Sequence, residues 1–198
     1  MKKLKTLKTL EPRQIREGLA EVVKYGVIKD SELFSYLEKN VAKLRNLDEG
    51  VARFIIEKSV KIKAKVVEED EREEKGKRQI LNFGHTIGHA IEGATEYKKY
   101  THGEAVSLGM IAATRISEKL GFINQNSVKR LKELLGAIGL PVKMEKVDEN
   151  KFWDVLYRDK KIKAGELIFL LPREIGKVFL TSEVPPGMIK EVFREMER

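Results

Sequence analysis

Asn82-Phe83-Gly84-His85-Thr86-Ile87-Gly88-His89, together with the later His102-Gly103-Glu104, contains all three histidines of the chain. A spacing of four residues places His85 and His89 on one face of a helix. Imidazole is the commonest zinc ligand in proteins, so a third nitrogen or oxygen nearby would complete a site with an open position. The alternative is that these histidines only form hydrogen bonds with their neighbours. Thr86 replaces the glutamate of the His-Glu-x-x-His motif, which argues against a peptidase.

Apolar residues recur at helical spacing on both sides of this segment, whereas two short stretches near the C-terminus are typical of strands. The pattern predicts a mainly α, multi-helix fold with a small β-hairpin near 167–181, organised as a single helical domain over 1–198. We expect the first long helix to run from Pro12 to about Tyr25, with Gly26 as its stop. Further helices are expected from 30 or 31, from 48, at 85–89, over 102–120, 127–138 and 148–157, and after 187.

The composition excludes several classes of protein. The chain has 198 residues, 41% of them hydrophobic, which is enough for a core, and it has no cysteine for a disulfide or a thiolate metal site. No apolar run approaches the ~20 residues of a membrane span, and the N-terminus lacks a signal peptide, so we expect a cytoplasmic protein that does not bind membranes. Neither a Gly-x-Gly-x-x-Gly motif nor a P-loop is present, which excludes a dinucleotide-binding domain within this sequence.

The formal net charge of +8 suits an anionic partner, such as a phosphorylated metabolite or a nucleic acid. A salt-bridged, solvated surface is the simpler explanation for most of this charge. Aromatic residues make up only 7% of the chain, and no basic run is interleaved with stacking rings. We therefore expect no nucleic-acid partner.

Several polar residues stand out against apolar surroundings. Glu21 is an isolated carboxylate among Ala20, Val22 and Val23, and a buried carboxylate needs a cation, a metal or hydrogen bonds. An ion pair with Lys24, three residues later, is the ordinary alternative. Lys24 and Lys63 both lie in apolar helical stretches, where a lysine usually extends its amine to solvent.

Four blocks of this sequence resemble the C-terminal domain of the 3-dehydroquinate synthase family. The resemblance covers nearly the whole chain, and a weaker fifth block is Asp159-Lys160-Lys161. The blocks are Pro12-Arg13 with Gly18-Leu19-Ala20-Glu21-Val22-Val23-Lys24-Tyr25-Gly26, then Lys63-Ala64-Lys65-Val66-Val67 with Asp70-Glu71, then Arg78 with Leu81-Asn82-Phe83-Gly84-His85-Thr86, Gly88-His89-Ala90 and Glu92, and finally His102-Gly103-Glu104-Ala105-Val106 with Gly109-Met110.

The resemblance implies a role for each matching residue. Glu21, His85 and His102 would bind zinc or another divalent metal such as cobalt, and this set differs from the simple His85/His89 pair. His89 and Lys24 would be catalytic. The residues implied in substrate binding are Lys24, Lys63, Arg78, Asn82, His89, and one of Lys160 and Lys161.

The implied activity is a phosphate-eliminating lyase step of the shikimate pathway and of aromatic amino acid biosynthesis. It converts 3-deoxy-arabino-heptulosonate 7-phosphate to 3-dehydroquinate and phosphate, with NAD as a cofactor that is regenerated and zinc as a Lewis acid. The family binds NAD on an N-terminal domain, which the resemblance places outside this sequence, on a missing part or a separate chain. We therefore expect the chain alone to be inactive, and a homodimer in the whole enzyme.

Two other functions remain possible from the sequence. A related sugar phosphate cyclase or polyol dehydrogenase of the same superfamily would share much of the site, although Arg78 and Asn82 favour a substrate with both an acid and a phosphate. A non-enzymatic basic helical module would instead bind a polyanion with an affinity that falls steeply with salt.

Overall fold

The computed structural model describes residues 2–72, 76–158, 162–163 and 166–197. Every element described in its first part is a helix. A short 3-10 helix is followed by four α-helices, and a second 3-10 helix then leads to the histidine segment. The bounds are Lys2–Thr9 for the first 3-10 helix, Pro12–Lys29 for α1, Ser31–Lys39 for α2, Val41–Arg45 for α3, Glu49–Glu69 for α4 and Lys77–Asn82 for the second 3-10 helix.

The second part contains the remaining helices and two small antiparallel sheets. Strands β1 and β2 pair with each other, as do β3 and β4, and the second pair is the predicted hairpin. The bounds are His85–Ala94 for α5, His102–Lys119 for α6, Gln125–Ile138 for α7, Glu149–Arg158 for α8, Ile162–Lys163 for β1, Glu166–Leu167 for β2, Phe169–Glu174 for β3, Lys177–Thr181 for β4 and Pro186–Met196 for α9. The mainly α fold with a β-hairpin near 167–181 is confirmed.

Local sequence signals start most of these helices. Pro12 occupies the first turn of α1, where its missing N–H costs nothing. Asp30 caps α2 by accepting the N–H of Leu33 at 2.8 Å, and Asp48 caps α4 by accepting the N–H of Val51 at 3.0 Å.

The expected stop at Gly26 is wrong, because α1 continues to Lys29. Gly26 instead allows α2 to approach closely: a Cβ at this position would lie 3.1 Å from the backbone of Phe34. The helix ends only where Asp30 begins the next one. The glycine therefore serves helix packing rather than termination.

Helix α6 lies at the centre of the hydrophobic core. Most of its residues are buried, and it packs against α1, α5, α7, α9 and β3. Helix α8 covers the other side of α5, while the N–H of Gly176 in the hairpin turn donates to the carbonyl of Val27 at 2.8 Å. Within the described residues, no helix combines the length and apolar composition needed to cross a bilayer.

Candidate metal centre

Three of the sequence-predicted residues meet where α1, α5 and α6 come together. Glu21 lies in the middle of α1, while His85 and His102 are the first residues of α5 and α6. One oxygen or nitrogen from each lies within 4.8 Å of the other two. The chain thus brings one carboxylate and two imidazoles, distant in sequence, into one small volume.

Close backbone packing produces this arrangement. Gly103 lies directly on α1, because a Cβ there would come within 2.5 Å of the Cα of Glu17, one turn before Glu21. A Cβ on Gly109 would overlap the carbonyl oxygen of Gly84. Gly84 itself adopts φ +79, a left-handed conformation that favours glycine, just before His85. The two helices that carry the histidines therefore approach each other at backbone distance.

The His85 ring is held in one orientation. Its Nδ1 lies 3.1 Å from the carbonyl oxygen of Phe83, and a carbonyl only accepts hydrogen bonds, so Nδ1 carries the hydrogen. Burial, aided by the nearby charge of Lys24, lowers the pKa of His85 to about 4. At neutral pH the ring is therefore neutral, and Nε2 presents a lone pair toward the Oε1 atom of Glu21, 3.7 Å away.

The Glu21 carboxylate has two different environments. Its Oε2 accepts a hydrogen bond from the Lys24 amine at 2.5 Å. Its Oε1 is buried and has no hydrogen-bond donor among the described residues. Two electron-pair donors, Oε1 of Glu21 and Nε2 of His85, thus face each other with no hydrogen between them. A carboxylate and two imidazoles also form a donor set suited to a divalent cation such as zinc.

Lys24 and Lys63 behave differently, although both lie in apolar helical stretches. Lys24 is buried, and burial lowers the pKa of its amine despite the opposing effect of Glu21. Lys63 is exposed, as expected for an extended lysine, but its charge still contributes to lowering the pKa of Lys24. Only Lys24 is therefore part of the buried cluster.

His102 has a partner that the sequence analysis missed. Its Nδ1 lies 3.3 Å from Oε1 and 3.4 Å from Oε2 of Glu92, a carboxylate buried in α5. The sequence signal for this contact was an acid in the otherwise apolar run Ala90-Ile91-Glu92, three residues after His89. The sequence could not show that this acid contacts His102, because the contact depends on the path of the turn between α5 and α6.

His89 lies beside the three-residue cluster rather than within it. Its ring centroid is 5.4 Å from that of His85 and 5.9 Å from that of His102. Potential ligand atoms of His89, Glu92 and His102 also lie within 4.8 Å of one another. The spacing of four residues therefore brings His85 and His89 close to each other. His102, however, forms one possible ligand set with Glu21 and His85 and another with His89 and Glu92.

An open depression adjoins the histidines on the side of α8. It has a volume of about 540 Å³, and the polar side chains that line it include those of His89, His102, Tyr97 and Arg158. The predicted substrate residues Lys160 and Lys161 follow Arg158 but lie outside the described residues.

The second 3-10 helix carries the other two predicted substrate residues. Arg78 and Asn82 are both half-buried, and this helix packs against α1 and α4. The backbone N–H of Arg78 donates to Oδ2 of the buried Asp70 at 3.2 Å, which fixes the start of the segment. The structure therefore places these residues between the helices that carry Lys24 and Lys63.

Known proteins share this fold and much of this sequence. Two synthases of known structure match in three dimensions, and both are described as complexes with NAD⁺ and a metal. One is 2-epi-5-epi-valiolone synthase from Streptomyces hygroscopicus subsp. jinggangensis with NAD⁺ and Zn²⁺, at TM-score 0.85 and 25% identity over 95% of this chain and 52% of that one. The other is 2-deoxy-scyllo-inosose synthase with carbaglucose-6-phosphate, NAD⁺ and Co²⁺, at TM-score 0.82 and 32% identity over 94% of this chain and 53% of that one.

Sequence relatives are more similar still. The 3-dehydroquinate synthase of Acetivibrio thermocellus is 47% identical over 96% of this chain, and that of Idiomarina loihiensis is 46% identical over the same share. This chain spans 53% of each of these relatives, or about half their length. The family described as 3-dehydroquinate synthase C-terminal matches residues 18–162. The chain therefore belongs to the 3-dehydroquinate synthase C-terminal family.

Proposed function

We propose that this chain is the metal- and substrate-binding part of a 3-dehydroquinate synthase. The substrate would be 3-deoxy-arabino-heptulosonate 7-phosphate, and the products 3-dehydroquinate and phosphate. The observation that carries the metal site is the pair of facing electron-pair donors, Oε1 of Glu21 and Nε2 of His85. A divalent cation bound by these two atoms and by His102 would satisfy the buried Oε1 oxygen, which has no hydrogen-bond donor among the described residues, and the lone pair of Nε2.

The positive groups around the cluster match the charge of this substrate. Lys24 supplies a buried amine next to the proposed metal, while Lys63 and Arg78 supply more exposed cations on the neighbouring helices. These groups would hold the carboxylate and the phosphate, and Asn82 would add an amide hydrogen bond. The metal would act as a Lewis acid toward substrate oxygens.

In this proposal, His89 exchanges protons with the bound substrate. Its ring borders the open depression, and it lies outside the proposed metal set of Glu21, His85 and His102. A histidine that is reachable from solvent and close to the reacting atoms is a suitable general acid or base. Lys24 would assist by holding a negative substrate oxygen close to His89.

NAD belongs to a region outside these 198 residues in this proposal. The relatives are about twice as long as this chain, and the two structural neighbours are described with NAD⁺. The chain would therefore need an NAD-binding half for turnover and would be inactive by itself. Related cyclases are the second candidate, but the higher identity to 3-dehydroquinate synthases favours the heptulosonate phosphate.

The metal site can be tested by measuring zinc affinity through competition with a chromophoric chelator. We expect one zinc per chain, and we expect Glu21→Ala and His102→Ala each to weaken binding by at least ~100-fold, more than the loss of a group outside the coordination shell. His89→Ala is the matched control, because it removes a neighbouring imidazole without removing a proposed ligand. Zinc affinity that falls with His89→Ala and survives Glu21→Ala would refute this ligand set.

The substrate class can be tested by calorimetry on the zinc-loaded chain. We expect 3-deoxy-arabino-heptulosonate 7-phosphate to bind at least ~10-fold more tightly than glucose 6-phosphate, because only the former offers a carboxylate to the cationic groups. Equal affinities would instead favour an inosose-type cyclase. Product analysis with a protein that also contains the NAD-binding half would then identify the reaction.

A further inference from the structure

Glu92 is a buried acid for which the proposed reaction has no use. It lies in α5 with only 6% of its surface exposed, between apolar residues of the core. A carboxylate in such a position is costly unless a hydrogen bond or a positive charge compensates it. Among the described residues its carboxylate lies against His102, so its contribution must be sought there.

The contact determines which nitrogen of His102 carries the hydrogen. Both carboxylate oxygens of Glu92 lie within 3.4 Å of Nδ1. An ionised carboxylate only accepts hydrogen bonds, so Nδ1 is the donor and Nε2 of the neutral ring keeps its lone pair. The His102 side chain is 46% exposed, so without this contact little would restrict its rotation.

We propose that Glu92 is the positioning residue of the metal centre. It fixes the tautomer and the rotation of His102 so that Nε2 is directed to the ion shared with Glu21 and His85. The inference rests on the proposed metal site, and it adds a residue that does not touch the ion. Hydrogen-bonded partners of this kind also make a ligating imidazole more basic.

The two ligating histidines are held in the same way by different groups. The carbonyl of Phe83 accepts from Nδ1 of His85, and the carboxylate of Glu92 accepts from Nδ1 of His102. In both cases Nε2 is left for the ion. The contact of His85 is with a backbone carbonyl, which a substitution does not remove. The contact of His102 is with the Glu92 side chain, so its effect on metal binding can be tested by mutation.

A second ion bound by His89, Glu92 and His102 is the competing role for Glu92. Ligand atoms of these three residues also lie within 4.8 Å of one another. The near-equal distances from both Glu92 oxygens to one nitrogen are those of a shared hydrogen bond, which favours the positioning role. Metal stoichiometry separates the two roles.

Zinc affinity of the 198-residue chain provides the first test. Glu92→Ala should bind zinc 10- to 100-fold more weakly than the wild type, and Glu92→Gln should lose less because its amide oxygen can still accept from Nδ1. Glu96→Gln is the control, since Glu96 is an exposed acid of the same region that pairs with Lys98 and Lys151. This control should stay within about twofold of the wild type.

Nitrogen chemical shifts of His102 in the metal-free chain provide a test that needs no metal. We expect the Nδ1–H tautomer in the wild type and a mixture of both tautomers in Glu92→Ala. If the alanine variant does not fold, Glu92→Leu, whose apolar side chain fills a similar volume and accepts no hydrogen bond, replaces it in both measurements. Thermal unfolding of each variant shows whether it is folded.

The outcomes separate this inference from the proposed function. A wild-type chain that binds no zinc would overturn the metal site, and with it the positioning role. Zinc binding that is lost in Glu21→Ala but unchanged in the Glu92 variants would overturn the inference alone. Two zinc ions in the wild type and one in Glu92→Ala would also overturn it, because Glu92 would then be a ligand.

Discussion

Two walls of the candidate site differ in how the protein holds their functional groups. The first, formed by α1, α5 and α6, carries Glu21, Lys24 and His85, which are buried or half-buried and in contact with one another. The second, formed by α4 and the second 3-10 helix, carries the exposed Lys63 and the half-buried Arg78 and Asn82. We call the first the metal wall and the second the substrate wall, after their proposed roles. The metal wall is held by packing and ion pairs within the protein, whereas the Lys63 side chain on the substrate wall is exposed to solvent.

The difference shows that the tertiary packing around a polar residue, rather than its sequence neighbours, decides whether its side chain is enclosed or faces solvent. Lys24 and Lys63 have similar apolar neighbours in sequence, yet one amine is enclosed beside Glu21 and the other is exposed. We expect substitutions on the metal wall to change stability and metal binding together. Substitutions on the substrate wall should change ligand affinity with little effect on stability.

The largest effect is expected for Gly109→Ala, which would break the metal wall by separating α5 from α6. The added methyl group would overlap the carbonyl oxygen of Gly84. This overlap cannot be relieved by a change of side-chain rotamer, because the carbonyl belongs to the backbone. We expect a loss of at least about 3 kcal/mol in the free energy of unfolding, measured in urea, together with loss of zinc binding.

Gly18→Ala is the matched control for this substitution. Gly18 also lies in a helix, but a Cβ there would meet nothing within 4 Å. We expect the control to gain up to about 0.8 kcal/mol because alanine is the better helix former. Equal effects of the two substitutions would show that the α5–α6 contact does not hold the metal wall together.

The next effect is a pH dependence of stability in the metal-free protein. The pKa of His85 is about 4 in the folded state, below its ordinary value of 6.5, because the ring is buried. As the pH falls from 6.5 to 4, the unfolded chain binds the proton first, so the folded state loses stability across this window. The loss should reach up to about 3 kcal/mol and be absent above pH 6.5.

Unfolding in urea with a chelator present, repeated at each pH, measures this loss. His85→Gln should flatten the dependence between pH 4 and 6.5, because glutamine does not titrate. A slope that is unchanged by this substitution would assign the effect to other groups and contradict the neutral, buried imidazole on the metal wall.

A smaller contrast is expected between the two lysines. Lys24→Ala should cost about 2 kcal/mol in the metal-free chain, since it removes a buried stem and leaves Glu21, 31% exposed, without its cation. Bound zinc should reduce this cost by compensating the carboxylate. Lys63→Ala should change stability by less than about 0.5 kcal/mol.

Calorimetry with inorganic phosphate and urea unfolding of both variants test this contrast. Lys63→Ala should weaken phosphate binding although it hardly changes stability. If Lys63→Ala were as destabilising as Lys24→Ala, the distinction between a packed wall and a solvent-facing wall would be lost.

Much of the fold follows from local chemistry that the sequence displays. Helices begin directly after Asp30 and Asp48, where helix starts were expected, and the two strand-like stretches near the C-terminus locate the hairpin. The stop predicted at Gly26 was wrong because a glycine that ends a helix and one that lets a neighbouring helix approach look the same in sequence. Which of the two roles a glycine has depends on the element that packs against it in the folded protein.

The site was predictable from family blocks more than from spacing. The spacing of His85 and His89 suggested a metal pair, while the resemblance implied Glu21 and His102 instead. The structure brings Glu21, His85 and His102 together and leaves their metal role to experiment. Glu92 belongs to one of the family blocks, but its contact with His102 could not be predicted, because that contact depends on how the turn between α5 and α6 folds back.

Anomalous diffraction at the zinc edge, from crystals of the chain grown with zinc, tests the central claim most directly. We expect one zinc bound at about 2.0–2.2 Å by an oxygen of Glu21 and by Nε2 of both His85 and His102. A zinc held by His85 and His89, or by His89 and Glu92, with Glu21 outside the coordination shell, would contradict the account.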